Sequence, residues 1–473
     1  MARQRAGASA RPSRRASRGQ ALLILIVMMS IATMLLVYGS TTEVGRAVRA
    51  DARTRAVLEE ARQALIGRAI ADANRPGSLP CPDGDNDGSA DFFAGSACAS
   101  YIGRLPWRTL GIGDLRDDAG ERLWYVLSPA FRDHPSAPPL NSDTRGTLTV
   151  YSNSSARVVT AQGIAIVFAP GATLAGQRRD DGIALCATTA KNVQRNRCAT
   201  NYLDEAGEAG NASAIGPYVA APPGERYNDR LAVIVAADLM PLVERRVALE
   251  ARNALLAYRA AGACGCYPWA DGGVDGVSDT GVSRGRIPAV SARPHPWPAA
   301  TLPSYFAAND WGRVIHYAVA RGALENAGAD CTTCVAGNLS FDGVPGFDLV
   351  LVTAGYASKN RSAAWADYID DAANRGADDR FVTPASQLAD RDRAYTVAGP
   401  LAGCAVSARV LIDNVPCSAP GNAVRRVCET ASTALSGCRC AAAAGALVKP
   451  PCAAAPGARD CEQALAQLRG CTS

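Results

Sequence analysis

The chain has 473 residues, a formal net charge of +5, 48% hydrophobic residues and 20% charged residues. That is enough chain for two or three domains at roughly 100–200 residues each, and too ordinary in apolar content for a disordered protein. Its basic residues are almost all scattered arginines, with only Lys191, Lys359 and Lys449. No basic stripe with interleaved aromatics appears, which argues against a nucleic-acid groove.

Residues 1–19 carry Arg3, Arg5, Arg11, Arg14, Arg15 and Arg18 and no acid. Ala21 to Tyr38 is then apolar apart from Ser30 and Thr33. A run of this length predicts a membrane-spanning helix with its arginines cytoplasmic and the rest exported. An ordinary cleaved signal peptide is the alternative. Thr41 to Asp72 lacks proline and is rich in Ala, Arg, Glu and Leu, so the helix is expected to continue from about 20 to about 72. Leu58, Ala61, Leu65, Ile66 and Ala69 form its apolar stripe, and Asn74-Arg75-Pro76-Gly77 ends it.

The chain then repeats itself. Glu60-Ala-Arg-Gln-Ala-Leu-Ile66 returns as Glu250-Ala-Arg-Asn-Ala-Leu-Leu256. Asp83, Asp87-Gly88 and Asp91 return as Asp271, Asp275-Gly276 and Asp279, and Gly103-Arg-Leu-Pro106 as Gly285-Arg-Ile-Pro288. Asp118-Ala-Gly-Glu-Arg-Leu-Trp-Tyr125 returns as Asp310-Trp-Gly-Arg-Val-Ile-His-Tyr317, and Tyr202-Leu-Asp204 as Tyr368-Ile-Asp370. Each copy reads as a helix, an acidic Gly-rich loop and several short strands, clearest at 147–151, 164–168 and 347–352. An α+β fold with antiparallel sheets on helices follows.

Sixteen cysteines, eight of them after residue 400, predict disulfides in an oxidising compartment. Cys81 and Cys98 bracket the first acidic loop, and Cys186 is expected to pair with Cys198. In the tail, helix-forming stretches 423–435 and 458–468 flank a linker with Gly445 and Pro450-Pro451. An antiparallel hairpin would pair Cys428 with Cys471 and Cys438 with Cys461; a differently connected tail is the alternative.

The basic leader, Arg18-Gly19-Gln20 and the long apolar helix resemble type IV pilin-like proteins and type II secretion pseudopilins. Asn309-Asp-Trp-Gly312 followed by Tyr317 resembles an element that pseudopilin heads place at the start of their sheet. The resemblance implies cleavage by a prepilin peptidase after Gly19, N-methylation of Gln20, and partners that are other pilin-like subunits. Ile24 stands where major pilins carry glutamate, which implies a minor, tip-type member. The fold expected is a long N-terminal transmembrane/amphipathic helix, two tandem pilin-like heads with antiparallel sheets, and a disulfide-rich helical tail. The boundaries are a leader at 1–19, a transmembrane helix and extension at 20–50, heads at 51–235 and 236–400, and a tail at 401–473.

Asp83, Asp85, Asp87 and Asp91 space carboxylates as a calcium loop does, although the twelfth position is Ala94 rather than glutamate; a solvated Asp/Gly turn is the alternative. Asp271, Asp275 and Asp279 keep the pattern less completely, with Gly273 in place of Asp85. No nucleophile elbow, zinc-protease motif, Walker loop or dinucleotide fingerprint occurs, and the only histidines are His134, His295 and His316. The function expected is a non-enzymatic, single-pass inner-membrane subunit of a pilus or type II secretion assembly, with its bulk in the periplasm or in a surface filament. The rival is an exported, anchored adhesin or ligand-binding protein.

Overall fold

The computed structural model describes residues 18–152, 157–177, 179, 199–206, 209–261, 266–273, 275–288, 302–324, 337–357, 361, 367–376, 378–384, 391–398, 432, 441–447 and 459–469. Helix α1 spans Arg18–Ala71. It has two regimes. Leu58, Ala61, Leu65, Ile66 and Ala69 are buried, while Leu25, Ile26, Val27, Met28, Met29, Ile31 and Met34 are exposed. The C-terminal part folds as a helix because its stripe of i, i+3 and i+4 apolar residues lies on a sheet.

The expected transmembrane helix is not found: among the described residues no helix is long and apolar enough to cross a membrane. From Arg46 onward the helix carries Arg49, Asp51, Arg53 and Arg55. The transmembrane helix, and with it the single-pass inner-membrane placement, is therefore not supported.

The first sheet is built from β1 (Ile102–Arg104), β2 (Trp124–Leu127), β3 (Leu148–Tyr151), β4 (Val158–Ala169), β5 (Tyr218–Val219) and β6 (Arg230–Val235). The long strand β4 pairs antiparallel with β2, β3 and β6. β1 adds to β2, and β5 runs parallel to β3. Residues 164–169 of β4 are buried on both faces. Ile164, Val167 and Ala169 join the helix side, while Ile166 and Phe168 pack with Trp124, Val126 and Tyr218.

β6 passes without a loop into α2 (Ala236–Ala261). The second sheet repeats the first in β7 (Arg284–Arg286), β8 (Ile315–Val319), β9 (Leu339–Phe341), β10 (Val344–Thr353), β11 (Arg380–Phe381) and β12 (Arg393–Ala398). Again the long strand β10 pairs antiparallel with β8, β9 and β12, β7 adds to β8, and β11 runs parallel to β9. The strand order is the same in both sheets. α2 packs on α1 as well as on the second sheet, and one apolar cluster runs through both domains from Leu58 and Leu65 to Val243, Leu349 and Leu351. Short helices α3 (Ser304–Ala308) and α4 (Ala372–Arg375) lie in the second domain.

The repeat extends to single hydrogen bonds. Tyr125 donates to the Pro80 carbonyl at 3.2 Å, and Tyr317 to the Pro268 carbonyl at 3.0 Å. Asn211 donates to Asp229 and to the Val219 carbonyl and accepts from the Val219 N–H. Asn374 does the same with Asp392 and Val382.

In the tail, α5 (Ala441–Leu447) packs on α6 (Arg459–Arg469). Gly445, expected in a linker, sits inside α5. The alanines around it outweigh a glycine cost of about 1 kcal/mol. The expected helix at 423–435 lies outside the described residues, apart from residue 432.

Candidate functional site

Strand β1 fixes the first acidic loop. Asp83 and Arg104 exchange backbone hydrogen bonds at 3.0 and 2.6 Å. A Cβ on Gly103 would stand 2.5 Å from the Asp83 carbonyl oxygen, so glycine is required where the loop crosses the strand. The Cys81–Cys98 disulfide closes the loop at its two ends, as the bracketing cysteines suggested. The Asp83 carboxylate is buried and accepts from the N–H groups of Asn86 and Gly88 at 2.6 and 2.7 Å. Asn86 and Gly88 both have positive φ, which wraps the chain around that carboxylate.

Asp83, Asp85 and Asp91 each bring one carboxylate oxygen to within 4.8 Å of the others. Asp87 is not in this group; its oxygen accepts from the Ser89 N–H at 2.6 Å. Burial pushes the Asp83 carboxyl up to about 6, with the charges of Asp85 and Asp87 adding to it against the N–H groups of Gly88 and Asn86. A hard divalent cation is the species this arrangement suits: it takes oxygen ligands and removes the cost of a buried carboxylate among like charges.

The second loop diverges. Asp271 is buried and accepts from the Gly276 N–H at 2.9 Å. Asp279 accepts from Gly272 and Gly273, and Asp275 from Val277. Among the described residues these three do not converge into a cation-sized group. With Gly273 in place of Asp85, backbone N–H groups occupy the acid instead. The loop is kept as a turn, crossed at Gly285, whose Cβ would lie 2.1 Å from the Asp271 carbonyl oxygen.

Two groups escaped the sequence reading, one buried and one half-buried. Glu244 lies in the apolar stripe of α2 and is fully buried. It accepts from the Ser142 hydroxyl of the first domain and from Thr353 at 3.3 Å, with Arg393 at 3.5 Å. Burial pushes it up to about 7, against the pull of Ser142, Arg393 and Arg361. Asp143 enters the second domain and meets Arg361 at 2.9 Å and Arg313 at 3.4 Å. No spacing along the chain signals either; their partners are 102 and 218 residues away.

His316 is buried edge-on to Tyr368, ring centroids 5.6 Å apart, and burial holds it down at about 3. It is a packing residue in the place of Trp124. His134 meets Phe93 edge to face, ring centroids 4.5 Å apart. Gly19 and Gln20 lie in the first turn of α1. Cys266 and Cys461 are also disulfide-bonded. Cys186, Cys198, Cys428, Cys438 and Cys471, and with them the expected pairings, lie outside the described residues. Comparison with protein families, with curated proteins and with solved structures gave no match.

Proposed function

We propose that the chain is a non-enzymatic structural subunit that joins an assembly of pilin-like proteins through the N-terminal part of α1, and that its two sheet domains form the exposed body. The observation that carries this reading is the division of one 54-residue helix. Its C-terminal part is buried under the first sheet, whereas residues 25–34 present a run of large apolar side chains to solvent. An apolar surface of that kind marks an interaction site, and helices pack on one another by fitting side-chain ridges into grooves. Ile24 in place of a carboxylate, and two fused domains on one helix, favour an accessory position over a repeating one. The disulfides fit work in an oxidising compartment.

A second reading, a ligand-binding protein, draws on Phe92. This side chain is 95% exposed beside a disulfide-closed hairpin, Phe93–Ala94 against Ala97–Cys98.

Mass spectrometry of the mature N-terminus tests the first reading. It predicts a chain beginning at Gln20. A chain that keeps Met1, or begins beyond residue 38, removes its support.

A further inference from the structure

The segment 138–144 of the first domain inserts into the second. Leu140, Asn141 and Ser142 are buried. The Leu140 N–H donates to the Asn309 side chain at 3.1 Å, and Asn141 donates to the carbonyls of Asn309 and Asp310 at 2.8 and 3.1 Å. The Ala357 N–H donates to the Ser142 carbonyl at 2.8 Å. At the end of the segment, Asp143 takes Arg361, Arg313 and the Tyr368 hydroxyl.

The internal repeat allows a comparison. In the second domain Arg361 donates to the Gly355 carbonyl at 3.1 Å and lies 5.2 Å from the Tyr368 ring. In the first domain Arg179 donates to the Gly171 carbonyl at 2.5 Å and lies 5.3 Å from the Tyr202 ring. Gly171 and Gly355 share a φ of +67° and +66°. The two arginines therefore occupy equivalent places. Their acids do not. Arg179 is paired with Glu121 of its own domain at 3.4 Å. The residue equivalent to Glu121 is Arg313, by the match of Asp118-Ala-Gly-Glu121 to Asp310-Trp-Gly-Arg313. The second domain thus has two arginines where the first has an arginine and an acid. Asp310 influences Arg313 electrostatically, but among the described residues the ion-pair partner of Arg313 and Arg361 is Asp143.

We propose that the second domain is a dependent unit: its Arg313–Arg361 socket is completed by Asp143 of the first domain, whereas the equivalent socket of the first domain is closed by its own Glu121. Leaving the buried Arg361 guanidinium beside the partly exposed Arg313 without their acid is costly, so the second domain reaches full stability only when the segment 138–144 is seated. The partner of the socket is this chain's own first domain. The closed socket at Glu121 stops the same docking from continuing to a further copy. The inference stands on these contacts and does not depend on the assembly reading.

Hydrogen exchange on the full chain, resolved by segment, tests it. Asp143→Arg is expected to lower protection of β8 and β10 by at least about tenfold, with β2 and β4 unchanged. Glu121→Arg is expected to do the reverse. Adding Arg313→Glu to Asp143→Arg restores the acid–arginine pair and should recover much of the lost protection, which separates lost pairing from general misfolding. Equal loss in both domains from Asp143→Arg, loss confined to the first domain, or no recovery in the double variant would overturn the proposal.

Discussion

Replacing Glu244 by glutamine removes a proton-binding group from the seam between the domains and keeps its shape. In the fold this carboxyl sits at about 7, against an ordinary value of 4.5. A raised value means that the folded state holds the proton more tightly. The stabilisation is fully present below about pH 4.5 and is lost as pH rises through about 7. Between about pH 5 and about pH 8 the loss amounts to about 2.5 kcal/mol. From the lower to the higher pH the stability of Glu244→Gln relative to wild type should therefore rise by about 2.5 kcal/mol, or about 5–10 °C in melting temperature for a domain of this size. Other groups titrate in the same window. Asp83 acts in the same direction, and buried His316 in the opposite one, because its neutral form is held in the fold and stability falls with pH below about 6.5. Subtracting the variant's denaturation curve from that of wild type at each pH cancels both. A difference that stays flat across the window, or that moves against the variant as pH rises, would refute the reasoning.

Calcium should raise the melting temperature of the wild-type chain and leave Asp85→Ala unmoved, because Asp85 brings one of the three converging oxygens; calorimetry with and without the ion decides it. Asp275→Ala in the second loop should show no calcium-dependent difference from wild type. Gly285→Ala forces a methyl group against the Asp271 carbonyl and should cost about 1–3 kcal/mol by chemical denaturation; an unchanged midpoint would mean that the strand can shift away.

The duplication was readable because the repeated features are local: an acidic turn, a glycine where the turn crosses a strand, a tyrosine in the next strand. Gly103 and Gly285 stand out in the alignment, and the structure gives the reason in the 2.5 and 2.1 Å approaches. The buried stripe of α1 was readable because helical periodicity is a property of one segment. The equivalence of Arg179 and Arg361 was not. They follow Gly171 and Gly355 at different distances, so no fixed spacing links them. Glu244 was hidden for another reason: a charge in an apolar stripe reads as an error in the pattern until its partners from distant segments are in place. The membrane-spanning helix was read from an apolar run alone, whereas among the described residues no helix is long and apolar enough to cross a membrane.

The claim that residues 25–34 of α1 are an assembly surface is tested most directly by placing a photo-crosslinking residue at position 29 of the chain in its native cells, with the exposed position 277 in the second domain as control. Position 29 should give discrete crosslinks to the helices of pilin-like proteins, and position 277 should not. Position 29 yielding no protein crosslink, or the same products as position 277, would contradict the account.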